Sequence, residues 1–222
     1  AQYYRVSYEN NDAVGEGTVV VTGLEPYQGT VRRSFAIQFA KPKMARAEQS
    51  KTGVTLTWKT VPGAASYQVE RRQGVGKWTT VKQVNGGWVT RWVDSTCVNG
   101  VRYQYRICAR SGSNISDPSA AKTVTYLAAP KLSSAKNTGK RTVTVTWGKN
   151  SKASGYQLQY GQTSQFKKAK TVTISKGKST KTVLKKLKKK KTYYVRIRTY
   201  QTVSGKRSYS LWSSPRTVIV KK

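Results

Sequence analysis

Ten cations stand out by type and spacing: Lys136, Lys140 and Arg141; Lys167, Lys168 and Lys170; and the run Lys188, Lys189, Lys190 and Lys191. All lie beyond Asp117, the last acidic residue, which is followed by 105 residues without Asp or Glu. Clustered ammonium groups with no neutralising carboxylate attract a polyanion and release its counterions on contact. The same region has no carboxylate for general acid or base work. Histidine is absent from the whole chain, and Cys97 and Cys108 are its only cysteines. Triads with a histidine base and His/Cys metal sites are therefore excluded. The eight carboxylates are scattered, with Asp94 and Asp117 at turn positions. Gly15-Glu16-Gly17 joins strands and opens no helix, so it is no phosphate cradle. The residues predict no catalytic group, no metal site and no cofactor.

The charge is graded along the chain. Residues 1–40 carry 3 basic and 4 acidic side chains, residues 41–128 carry 14 and 4, and residues 129–222 carry 25 and none. The net +34 is therefore concentrated toward the C-terminal end. The cation groups are nearly pure lysine, a point charge with little geometric selectivity. Few aromatics are interleaved with them, so base stacking has no platform and specific nucleic-acid reading is not expected. No run of 18 apolar residues is present, so the sequence has no candidate transmembrane helix.

The elements that must position these side chains are strands. Val54-Thr55-Leu56-Thr57-Trp58 and Val143-Thr144-Val145-Thr146-Trp147 alternate with period two, as do Tyr103–Ile107 and Tyr193–Ile197. Gly, Ser, Asn and Pro clusters separate such runs, the spacing of a β-sandwich. Two blocks repeat one another at about 90 residues. Trp58 matches Trp147, Ser66-Tyr67-Gln68-Val69 matches Gly155-Tyr156-Gln157-Leu158, and Cys97 and Tyr103 match Leu187 and Tyr193.

These residues resemble the fibronectin type III domain, twice over. The resemblance rests on the strand B Trp, the strand C Tyr, and the aliphatic residue six before a strand F Tyr. It implies an all-β chain with two consecutive seven-stranded immunoglobulin-like sandwiches, residues 41–128 and 129–222. Residues 1–40, with Tyr4–Asn11, Gly15–Gly23 and Phe35-Ala36-Ile37, resemble the C-terminal half of a repeat of Gram-positive surface proteins. They are expected to form a partial β unit of three strands with a half-exposed apolar face.

The resemblance also implies where the cations go. Loops A–B, C–C′ and E–F share one pole of such a sandwich, so the ten cations should gather there, joined by Lys221 and Lys222. Tyr209-Ser210-Leu211-Trp212-Ser213 resembles the Trp-Ser-x-Trp-Ser ladder of cytokine-receptor sandwiches. Arg196 and Arg198 would point outward from strand F and stack on Tyr209 and Trp212 as structural cation–π pairs. Trp58 and Trp92 fall at core positions, whereas Trp78 and Trp88 do not. Cys97 takes a buried aliphatic position and Cys108 faces outward, roughly 15 Å away along the strand, beyond disulfide reach.

The expected function is a non-enzymatic module, secreted or on the surface of a bacterium. It would space an upstream region and contact anionic cell-wall polymer or a glycosaminoglycan through the basic C-terminal domain. The accessory region of an extracellular hydrolase, or a host-matrix adhesin, remain alternatives on the same residues.

Overall fold

The computed structural model describes residues 3–221, and Lys222 lies outside them. There is no helix among these residues. The strands are β1 Tyr4–Glu9, β2 Gly15–Gly23, β3 Thr30–Ile37, β4 Met44–Gln49, β5 Val54–Trp58, β6 Ser66–Gln73 and β7 Thr79–Asn85. They continue with β8 Arg91–Asp94, β9 Val101–Ser111, β10 Asn114–Ile115, β11 Lys122–Tyr126, β12 Leu132–Gly139 and β13 Thr142–Trp147. The last six are β14 Gly155–Gly161, β15 Lys170–Ile174, β16 Lys181–Leu184, β17 Thr192–Val203, β18 Lys206–Tyr209 and β19 Arg216–Ile219.

β1, β2 and β3 form an antiparallel sheet. Its register puts Tyr4, Val6, Tyr8, Val19, Val21, Val31 and Phe35 on one face. Tyr4, Val6, Tyr8, Val31 and Phe35 there are exposed. Phe35 lies over Gly17 and meets Tyr8 edge-on at 6.2 Å, which closes the gap a glycine leaves in a sheet.

The remaining strands repeat one topology. Sheets β4-β5-β8 and β10-β9-β6-β7, with β11 also on β9, are matched by β12-β13-β16 and β15-β14-β17-β18, with β19 also on β17. Each set is a seven-stranded sandwich whose last strand is broken in two. The alternation decides the cores: Val54, Leu56 and Trp58 in one, and Val143, Val145 and Trp147 in the other, are all buried. The chain also divides into two compact units, Ala1–Ala47, Leu56–Trp92 and Gln104–Thr123 against Glu48–Thr55, Val93–Tyr103 and Val124–Lys222. That division cuts β4, β5, β8, β9 and β11 and does not follow the sequence repeat.

Matching hydrogen bonds pin the loops of both copies. The Tyr67 hydroxyl accepts from the Val61 N–H and donates to Gly87 O, and Tyr156 does the same with Asn150 and Gly177. A Cβ on Gly87 or Gly177 would sit 1.8–1.9 Å from a carbonyl oxygen, so both positions require glycine. Further along, the Val98 N–H donates to the Tyr103 hydroxyl at 2.9 Å and the Lys188 N–H to Tyr193 at 3.0 Å. At each break in the last strand, two serine hydroxyls take over the ladder. Ser119 and Ser116 accept from Ile107 and Ala109, and Ser213 and Ser210 accept from Ile197 and Thr199. The copy of this device at Ser116-Asp117-Pro118-Ser119 escaped the sequence reading.

In the second unit three amides satisfy the backbone of Leu127 and Ala128. The Leu127 N–H donates to Gln49 Oε1, the Ala128 N–H donates to Asn99 Oδ1, and Asn150 Nδ2 donates to Ala128 O. Asn99 Nδ2 also donates to Asn150 Oδ1 at 2.8 Å.

Three expectations need correction. Cys97 is half-buried, whereas Leu187 at the matching position is buried. Trp92 is half-buried and is not a core residue, because the sheet it edges leaves one side of it open. Cys108 shares the outer face of β9 with Arg106 and Arg110, yet it is 4 % exposed. That face is roofed by Arg106 paired with Glu70 and by Arg110 bound to Gln68. Neither cysteine forms a disulfide.

Candidate anion-binding site

The β14–β15 and β16–β17 loops enclose a cavity of about 710 Å³. Lys167 and Lys168 line it from the first loop, Lys170 from the start of β15, and Lys185, Lys186 and Lys188 from the second loop. Its floor is Tyr160 and Tyr193, whose ring centroids are 6.3 Å apart.

The local sequence explains how six lysines end up together. In Leu184-Lys185-Lys186-Leu187 the two leucines are 3 % exposed and act as anchors, leaving the two lysines between them in solvent. In the other loop Phe166 is the anchor, 9 % exposed, and Lys167 and Lys168 follow it. Hydrogen bonds from the Phe166 N–H to Thr163 O and from the Ala169 N–H to Phe166 O tighten that turn. Arg141 fastens the second loop through Leu187, and the Lys190 N–H donates to Val220 O. Phe166, Lys168, Lys186, Lys190 and Arg141 all have φ between 54° and 60°. Left-handed backbone costs a non-glycine residue roughly 1–2 kcal/mol, so these turns keep bulky side chains where glycine would be easier.

Only some of the ten predicted cations line the cavity. Lys167, Lys168, Lys170 and Lys188 line the cavity. Lys136 lines another groove with Asn137, Thr192 and Lys221. Arg141 donates from Nε to Leu187 O at 2.9 Å, so part of its donor capacity serves the loop. Lys140, Lys189, Lys190 and Lys191 are exposed on their loops outside the cavity lining. Lys185 and Lys186 were missed. The signal for them was the pair of leucines three apart, which marks the two intervening residues as an exposed turn.

Tyr193 accepts hydrogen bonds from the Lys188 N–H and from Gln162 Nε2. The Tyr160 hydroxyl finds no partner among the described residues. Burial, and then the neighbouring Tyr193, push its pKa above the ordinary tyrosine value. The phenol therefore stays protonated and remains a donor.

The arginines of β17 are used differently. Arg196 lies 4.1 Å from the Phe166 ring and 4.6 Å from Trp212, and Arg198 lies 4.5 Å from Trp212 and 4.1 Å from Tyr209. Guanidiniums and rings thus alternate from Phe166 to Tyr209. Each guanidinium also forks onto a glutamine directly across the sheet, Arg196 onto Gln159 and Arg198 onto Gln157. Burial lowers both pKa values; Arg198 adds to this at Arg196, and Tyr209 opposes it at Arg198. Phe166 joins the ladder to the cavity loop, a link the sequence did not reveal. The first sandwich holds a shorter version, with Trp78 between Arg72 at 4.6 Å and Arg106 at 4.4 Å. Trp88 stands apart, 82 % exposed. No group of three or more His, Cys, Asp or Glu side chains suited to a metal ion occurs among the described residues.

Residues 128–216 match the family model of the fibronectin type III domain. The chain is all-β, with two sandwiches of one strand order preceded by a small three-stranded sheet. Among solved structures, it is similar to the FN1–FN3 domains of chicken CNTN1, with 18 % identity and a TM-score of 0.37 over 93 % of this chain and 76 % of that one. It is also similar to a two-domain fibronectin type III segment of chicken tenascin, with 21 % identity and a TM-score of 0.45 over 82 % and 100 %. A search of curated proteins finds no match. Fibronectin type III domains are in general extracellular structural or adhesive modules, and the second sandwich is compatible with such use. No helix among the described residues is long and apolar enough to cross a membrane.

Proposed function

We propose that this chain is a non-enzymatic module of a secreted or surface-attached bacterial protein, and that its second sandwich holds it against anionic cell-wall polymer. Residues 1–40 serve as the C-terminal part of a surface repeat, and the tandem spaces what precedes it. One observation carries the reading. The second sandwich has six lysines around one cavity and no carboxylate anywhere after Asp117. Its arginines at 196 and 198 are held in a ladder, so the available charge is mainly lysine, which suits contact with repeating anions over recognition of one shape.

Retention on isolated Gram-positive walls, beside walls stripped of their anionic polymer, tests it. The protein should remain on intact walls at about 0.1 M salt, wash off as salt rises, and pass through stripped walls. Equal retention on both preparations, or none on either, overturns the reading. A heparin column run over the same salt series separates wall polymer from a sulfated glycosaminoglycan.

A further inference from the structure

We propose that the groove between the β14–β15 and β16–β17 loops is a binding site for a linear phosphate chain. The chain lies between Lys167, Lys168 and Lys170 on one wall and Lys185, Lys186 and Lys188 on the other, and takes a hydrogen bond from the Tyr160 hydroxyl. This rests on the polyanion reading above and gives it a place and a ligand class.

The first sandwich acts as an internal control. It has the same strand order and the same tyrosine bond at Tyr103, but Ser95, Thr96 and Val98 stand where the second has Lys185, Lys186 and Lys188. Thr79 pairs with Arg71 where Lys170 pairs with Tyr160. The fold therefore does not need the lysines. Their backbone is also held in advance: Leu187 and Phe166 are buried, Lys168 and Lys186 occupy left-handed turns, and the Lys188 amide is tied to Tyr193. A pre-positioned site spends less of its binding free energy on ordering.

The chemistry of the floor narrows the ligand. Tyr193 is 7 % exposed and Tyr160 is half-buried, so the floor offers little ring face on which a sugar or base could stack. What remains is two rows of point charges and one phenol donor. Lysine rows suit a narrow, unbranched chain of phosphates, whether phosphodiester-linked or inorganic polyphosphate. A wide sulfated glycan gains little from so closed a floor.

Calorimetric titration of the full chain with inorganic polyphosphate, across a salt series, tests the proposal. The triple variant Lys185→Gln/Lys186→Gln/Lys188→Gln removes one wall. Lys149→Gln/Lys176→Gln/Lys178→Gln removes the same charge from exposed loops that meet at the Tyr156 hydroxyl and line no part of the groove. The wall variant should lose at least about tenfold in affinity, and its salt slope should shrink by about 2–3, the share of three contacts. The control should lose less than about threefold. Tyr160→Phe should weaken binding several-fold and leave the salt slope unchanged, because it removes a hydrogen bond and no charge. Equal loss in the two triple variants would mean diffuse attraction; the located site then falls while the polyanion reading stands. Binding to heparin but not polyphosphate overturns the phosphate assignment, and binding to neither overturns both. All six substituted lysines are exposed, and unchanged melting of each variant confirms that folding is intact.

Discussion

Arg141 and Leu187 exchange hydrogen bonds: the Leu187 N–H donates to Arg141 O at 3.1 Å, and Arg141 Nε donates to Leu187 O at 2.9 Å. A turn between β12 and β13 thereby holds the loop that carries Lys185, Lys186 and Lys188. Arg141 has φ of 60°, so part of the bond energy is offset by its backbone. Arg141→Ala keeps the strained backbone and loses the side-chain bond, at a cost of about 1–2 kcal/mol. Arg141→Gly loses the bond but relieves the backbone, so its unfolding midpoint in urea should lie well above that of the alanine variant. An alanine variant as stable as the glycine variant would remove the argument about backbone strain.

Tyr103 and Tyr193 occupy equivalent places, and each hydroxyl accepts an amide five residues earlier. Tyr193→Phe should cost about 1–2 kcal/mol, because the Lys188 amide loses a partly buried acceptor. Tyr103→Phe, at Val98, should cost a similar amount. In the first case, amide exchange at Lys188 should rise more than exchange in β17. Uniform acceleration across the sandwich would show that Tyr193 serves the core and not the loop.

Trp212 lies between two guanidiniums. Its replacement by alanine removes two cation–π contacts, each about 0.5–1 kcal/mol or more when desolvated, together with packed ring area. A total loss of about 2–4 kcal/mol is expected from contacts and area together. Arg196→Lys keeps the charge but not the fork onto Gln159, and should cost about 1 kcal/mol. Both follow from chemical denaturation; a neutral Trp212→Ala would show that the ladder contributes nothing to stability.

Cys108 is held by burial, and next by Glu70, at a pKa of about 11 against an ordinary 9.0. The folded state therefore prefers the neutral thiol. Its contribution to stability is full below the unfolded pKa, and it is lost as the pH rises from about 9 to about 11. Stability should fall in that window, and by less in Cys108→Ala. In the native protein Cys108 should resist alkylation at neutral pH and react once denaturant opens the strand. Fast labelling of native Cys108 would contradict its burial.

Alternation along Val143–Trp147 and Tyr193–Ile197 determined the strands and their inner faces. A period of two leaves no choice of which side chains a sheet buries. The repeat also placed Tyr103 and Tyr193 at equivalent positions, each six residues after its partner Cys97 or Leu187. Composition alone removed histidine chemistry and left lysine as the chemistry-bearing residue. Three things were decided only by tertiary structure. Cys108 is buried because residues 2 to 40 positions away supply its roof, and parity says nothing about a roof. Phe166 meets Arg196 across 30 positions of sequence. The lysine run reads as one block in the sequence. It divides in space because buried Leu187 turns Lys185, Lys186 and Lys188 toward the β14–β15 loop while Lys189, Lys190 and Lys191 continue outside that cavity. A charge has no preferred face of its own; the apolar residues between charges and the backbone they anchor decide where it points.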